Sequence, residues 1–83
     1  MDYNLLKTFA KVAELGSFTQ AAKILNQPKS RVSRAITRLE NELGVELIRR
    51  TTRKSALTSS GQEFYSNITP HLNEINNELI RIS

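Results

Sequence analysis

The 83 residues include no cysteine, which excludes disulfide frameworks, thiolate metal sites and cysteine nucleophiles together. Its absence fits a reducing compartment. His71 is the only histidine, so no H-x-x-x-H pair exists and a metal or catalytic role for it is not expected. There is no glycine-rich phosphate loop, and no carboxylate pair has an obvious apolar pocket around it. The chain is therefore not expected to be an enzyme, and no cofactor or metal is expected. No apolar run approaches the ~18–20 residues of a membrane span. The N-terminal "MDYNLLKTFAKVAELG" is amphipathic and is not a signal peptide. Repeats and low-complexity tracts are missing too. Apolar residues make up 39% of the chain, against roughly 45–50% in soluble domains, a figure that also counts glycine. A single domain this small buries only about 60–65% of the surface its unfolded chain exposes. A dimer interface would supply a second core.

Charge is plentiful but unevenly placed. From Lys29 to Lys54 there are eight bases (Lys29, Arg31, Arg34, Arg38, Arg49, Arg50, Arg53, Lys54) against three acids (Glu40, Glu42, Glu46), a net of +5. Outside that window four bases face five acids, a net of −1. A surface built only for solubility would mix the signs throughout. Positive charge gathered in one third of the chain points to a polyanionic partner, with nucleic acid the first candidate.

Hydrophobic periodicity places four helices. Leu5, Phe9, Val12 and Ala13 share one stripe of a first helix from about Asn4 to Leu15, with Leu6 widening it and Gly16 ending it. A second helix follows in "SFTQAAKILN". Ser17 with Gln20 reads as a capping box, Thr19 is a rival cap, and Phe18, Ala21, Ala22 and Leu25 form the inner face. Asn26 suits a helix end and Pro28 suits the first turn of the next helix. That third helix, from about Lys29 to Leu43, carries Val32, Ile36, Leu39 and Leu43 on one side. Its other side collects Ser30, Arg31, Arg34, Thr37, Arg38 and Asn41, with no carboxylate before Glu40. Gly44 stops it.

"VELIRRTTRKSALT" changes character. Leu47–Arg50 and Ser55–Thr58 are expected as short strands around "TTRK", a basic hairpin. Thr58 or Ser59 then caps a long last helix, Ser59 with Gln62 forming a second capping box. Tyr65, Ile68, Leu72, Ile75, Leu79 and Ile82 follow a 3, 4, 3, 4, 3 spacing, a heptad seam expected to pair with a second copy. Pro70 should kink or break that helix, because it removes the hydrogen bond to the Ser66 carbonyl.

Helix, short helix, sharp turn, longer basic helix and basic hairpin are the order of a winged helix-turn-helix. The fold expected is mainly α: three helices with a short β-hairpin wing over residues 1–58, then a long dimerisation helix over residues 59–83. The B-DNA major groove is about 12 Å wide and admits one α-helix. A helix used there must bury one side and offer donors on the other. Ser30, Arg31, Ser33, Arg34 and Arg38 are such donors, with Gln27, Pro28 and Lys29 at the helix entry. Arg50, Arg53 and Lys54 of the hairpin are expected to reach the flanking backbone or minor groove. Arg49 is as readily structural, paired with Glu46 or Glu42. Glu40 is expected to take an intramolecular ion pair, and Phe18 to lie in the core.

The segments "LLKTFAKVAELGSFTQAAKIL" and "VSRAITRLENELGVELIRRTTRKSALTSSG" resemble the N-terminal DNA-binding domain of LysR-type transcriptional regulators. The spacings of "LxxFxxVAExGSFTxAAxxL", "VSxxIxxLExELGxxLxxR" and "LTxxG" all agree. The resemblance covers about residues 3–61, and the helical tail matches the family's linker helix. It implies a bacterial, cytoplasmic protein acting on the nucleoid. It also implies a homodimer through the long helix and binding to interrupted inverted repeats in promoter DNA. Family members carry a C-terminal effector-binding domain, so this chain is expected to be the DNA-binding part alone, with an effector ligand only in the full-length protein. By the same resemblance, Ser33 is the recognition-helix serine, Arg34 the basic position after it and Arg53 the wing arginine. Ser17 and Thr19 match hydroxyls that hold phosphate. Lys29 and Arg31 depart from the family's commoner Gln and Ala, which makes them the expected seat of this protein's own specificity. The rival readings are a winged helix docking an acidic protein, and a binder of double-stranded RNA or Z-form duplex. The major groove of A-form RNA is too narrow for this helix.

Overall fold

A computed structural model describes residues 1–51 and 55–83. Helix α1 spans Tyr3–Leu15, α2 Phe18–Leu25 and α3 Lys29–Leu43; strands β1 (Ile48–Arg50) and β2 (Ser55–Leu57) follow, then α4 (Ser59–Ile82). The strands pair antiparallel in the register Ile48↔Leu57, Arg49↔Ala56 and Arg50↔Ser55. Arg53 and Lys54, expected in the wing, lie outside the described residues.

Local chemistry sets the helix ends. The Asp2 carboxylate accepts from Asn4 N at 2.9 Å, so α1 starts one residue earlier than its apolar stripe. Ser17 caps α2, its Oγ accepting from Gln20 N at 3.1 Å, and Thr19 lies inside the helix. Asn26 ends α2 in the left-handed region at φ 56°, where asparagine is tolerated better than most residues. Pro28 stands one position before α3 and not in its first turn. It has no capping side chain, and its carbonyl accepts from Arg31 N and Val32 N at 3.0 and 3.3 Å. Gly44 closes α3 at φ 71°. Thr58 is the cap of α4. Its Oγ1 accepts from Gly61 N at 3.0 Å and donates to the Glu46 carbonyl at 2.6 Å, leaving Ser59 inside the helix.

The core lies where α1, α2 and α3 meet the hairpin. Phe9, Val12, Ala21, Val32, Ile36, Leu39 and Leu47 are all sealed from solvent. Leu43 does not join them. It is 37% exposed beside Val45 at 38%, in an open groove that the end of α3 shares with Ser60, Glu63 and Phe64 of α4. Phe18 and Leu25 are only half-buried at the edge of the core.

Two contacts register the wing on this core. Among the described residues the Glu40 carboxylate has no ion-pair partner; its Oε2 accepts from Leu47 N and Ile48 N at 2.8 and 3.1 Å. Arg49 lies 3.9 Å from Glu46, the first of its two expected partners. On the other side, α4 approaches so closely that a Cβ on Gly61 would lie 2.0 Å from the Leu47 carbonyl oxygen.

Helix α4 runs through Pro70 as one continuous element. Its heptad seam divides. Leu72 is buried, while Tyr65 and Ile68 pack half-buried against the core. Phe9 meets Phe64 and Tyr65 with ring centroids 5.5 and 6.4 Å apart. Ile75, Leu79 and Ile82 are exposed. Of the six seam residues expected to pair with a second copy, the first three thus also meet their own domain, and the last three stand clear of it.

Candidate nucleic-acid interface

Val32, Ile36 and Leu39 fix α3 to the core, so its opposite side must face solvent. Lys29, Ser30, Arg31, Arg34, Thr37, Arg38 and Asn41 are all exposed there, and Ser33 is half-exposed. The helix has 15 residues, about 22 Å at 1.5 Å per residue, which spans roughly six base pairs of a groove rising 3.4 Å per pair.

Arg31, Arg34 and Arg38, spaced at helical intervals, line a cleft of about 410 Å³ with Gln27 and the start of α1. Among the described residues Arg31 and Arg34 have no ion-pair partner, whereas Arg38 Nε lies 3.6 Å from Glu42. That pair is one helical turn long and exposed, worth about 0.5 kcal/mol or less, so it does not neutralise the face. Two guanidinium groups left unpaired within a turn of each other repel, and an external anion relieves that repulsion. Nearby, Thr19, Gln27, Pro28 and Lys29 line a depression between α2 and α3, joined there by Lys23. Ser17 Oγ accepts the cap hydrogen bond from Gln20 N.

Arg50, expected to reach flanking DNA, makes contacts within the domain. It does not extend away from the domain but folds back onto α3. Its Nη1 donates to Ser33 Oγ at 2.7 Å; its Nη2 donates to the Ser33 carbonyl and to Thr37 Oγ1, each at 3.2 Å. The guanidinium lies 4.7 Å from the centroid of the Phe18 ring. Sequence reasoning missed this bracing and the part of Thr37 in it. The one available signal was the hydroxyl pair Ser33 and Thr37 at i and i+4, which shares a helix face. His71 is exposed, and among the described residues no three potential metal ligands gather. No helix among them is long and apolar enough to cross a membrane.

Residues 3–62 match the family described as bacterial regulatory helix-turn-helix protein, LysR family. The chain belongs to the LysR family. Within it, the LysR-family domain is 44% identical over 70 residues to a transcriptional repressor of Pseudomonas aeruginosa, covering 84% of this chain and 22% of that protein. It is 41% identical over 70 residues to the transcriptional activator AaeR of Escherichia coli, covering 84% of this chain and 23% of the relative. The chain thus spans about a quarter of the length of these curated relatives. Among solved structures, the BenM DNA-binding domain in complex with catB site 1 DNA superposes with a TM-score of 0.90 at 33% identity. The match covers 99% of this chain and 91% of that one. The CbnR DNA-binding domain with DNA gives 0.87 at 33% identity, covering 98% and 93%. Relatives of this LysR-family domain therefore include both a repressor and an activator.

Proposed function

We propose that this LysR-family domain binds promoter DNA sequence-specifically as a symmetric homodimer and thereby regulates transcription in the bacterial cytoplasm. The observation that carries the reading is the pair Arg31 and Arg34, without an ion-pair partner among the described residues and exposed on the free face of a helix whose apolar side is buried. The DNA complexes of related domains at TM-scores of 0.90 and 0.87 support it. In this reading α3 enters the major groove. Lys29, Ser30, Arg31, Ser33 and Arg34 face base edges, with Gln27 and Pro28 at the helix entry. Ser17, Thr19 and Arg38 hold phosphates, and Arg53 and Lys54 of the wing meet the flank. Dyad symmetry in the protein demands an inverted repeat in the site. Ligand-dependent control belongs to an effector domain of the full-length protein.

Selection of bound duplexes from a random library, followed by footprinting, tests this. A two-fold symmetric footprint is expected; an asymmetric footprint, or none, would favour a winged helix that docks an acidic protein. With the selected site, Arg34→Ala should cost about 1–3 kcal/mol and relax preference at one position of each half-site. Arg53→Ala should weaken all sequences evenly. Competition with scrambled duplexes separates the two, and identical behaviour of both variants sinks the assignment of α3 as reader.

The second copy is proposed to sit on Ile75, Leu79 and Ile82, 44%, 55% and 82% exposed. Leu79→Asp should convert dimer to monomer, and the unfolding temperature should fall only by what association contributes, to the value wild type shows when diluted to monomer, because Leu79 is exposed within the chain. Light scattering that shows an unchanged mass would place the interface elsewhere.

A further inference from the structure

We propose that Arg50 is a positioning residue that couples the wing to the recognition helix, and that it acts on base discrimination without touching DNA. The inference rests on the DNA-binding reading above. Arg50 lies on β1 opposite Ser55, yet its guanidinium reaches two other elements. Three hydrogen bonds run to Ser33 and Thr37 of α3, and the cation lies over the Phe18 ring of α2. Three of its five N–H donors are thereby committed to α3, which sets its fork on the helix and not on an outside anion. Both hydroxyls serve Arg50 as acceptors, so each is left with its single O–H to donate. The bond from Nη1 to Ser33 Oγ, 2.7 Å long, is the shortest of the three. Charge-assisted bonds of this kind fix the rotamer of the acceptor and polarise its remaining O–H. The Ser33 oxygen is thus held in place in the middle of the basic face, with its O–H still to donate. At the other end of the hairpin, the Glu40 carboxylate holds Leu47 N and Ile48 N. The recognition helix therefore grips β1 at both ends, with an acid at one and a base at the other. Any force on the wing is transmitted to Ser33.

The planar fork is needed. A lysine carries the same charge but is a point donor that cannot hold three acceptors in one plane. Affinities of wild type, Arg50→Lys and Arg50→Ala are measured for a selected duplex and a scrambled one across a salt series. The ratio of the two affinities is read on one preparation, so any loss of folded protein cancels. Both variants are expected to lose about tenfold or more of that ratio. Arg50→Lys should keep the wild-type slope of log K against log salt, because no phosphate contact is removed. Thr37→Val, which removes one of the three bonds, should lose a few-fold of the ratio. A wild-type ratio in Arg50→Lys overturns the proposal, since charge alone would suffice. So does an Arg50→Ala slope shallower by about one with the ratio intact, the signature of a direct phosphate contact. Should wild type itself fail to discriminate between the duplexes, the DNA-binding reading falls and takes this inference with it.

Discussion

Gly61→Ala is expected to lower the midpoint of thermal unfolding by roughly 10 °C or more, for about 2–3 kcal/mol of overpacking in a domain of this size. The added Cβ would sit 2.0 Å from the Leu47 carbonyl oxygen, 2.9 Å from its carbonyl carbon and 3.2 Å from its Cα. All three are backbone atoms, so no rotamer change relieves the clash. The carbonyl is itself committed, accepting from Thr58 N at 3.0 Å. On the other side Leu47 N is held by Glu40, and the Leu47 side chain is fully buried. Helix α4 cannot back away without breaking the Thr58 cap and its bond to the Glu46 carbonyl. A melting midpoint within 2 °C of wild type, roughly the resolution at which such a shift stops meaning anything, would show that this junction yields.

The second large effect is ionic. Affinity for a selected duplex is expected to fall by roughly 10⁴-fold or more between 50 and 200 mM salt, if each of two copies neutralises about four to six phosphates. The basis is a net +5 confined to Lys29–Lys54, with the remainder of the chain at −1. Among the described residues Arg31 and Arg34 have no internal ion pair to break, so their full charge is available for counterion release. Isothermal or fluorescence titrations across the salt series would report the slope. A change below tenfold would be too shallow for this many contacts and would remove the phosphate-driven mechanism.

Much of this was legible in the sequence, and the residues show why. Val32, Ile36 and Leu39 announce the buried side of α3 by spacing alone, and burial of that side fixes the exposure of the other. Leu43 continues the same stripe and yet lies open, because a stripe says which side is apolar and not how far a covering element extends. The 3, 4, 3, 4, 3 seam in α4 likewise carries no mark at the point where it passes from its own domain to solvent. That point lies after Leu72 and is set by the reach of α1. Pro70 does not break the helix. The lost hydrogen bond is real, but a helix pinned by Tyr65, Ile68 and Leu72 on one side continues through it. The "LTxxG" pattern contains Gly61 without its reason, which is the approach of a backbone 14 residues upstream. Arg50 reads as one more base in a basic run. Only the tertiary pairing of β1 with α3 separates it from its neighbours.

Beyond Leu72, helix α4 projects from the domain with Ile75, Leu79, Ile80 and Ile82 all exposed. Helical segments shorter than about 12–15 residues are marginal in water when nothing packs against them. This overhang borrows its nucleus from the anchored half, but not its tertiary contacts. In the dimer proposed above, ordering of this tail and capture of the second copy would be one thermodynamic event, and the spacing between the two recognition helices would be set only once the pair has formed.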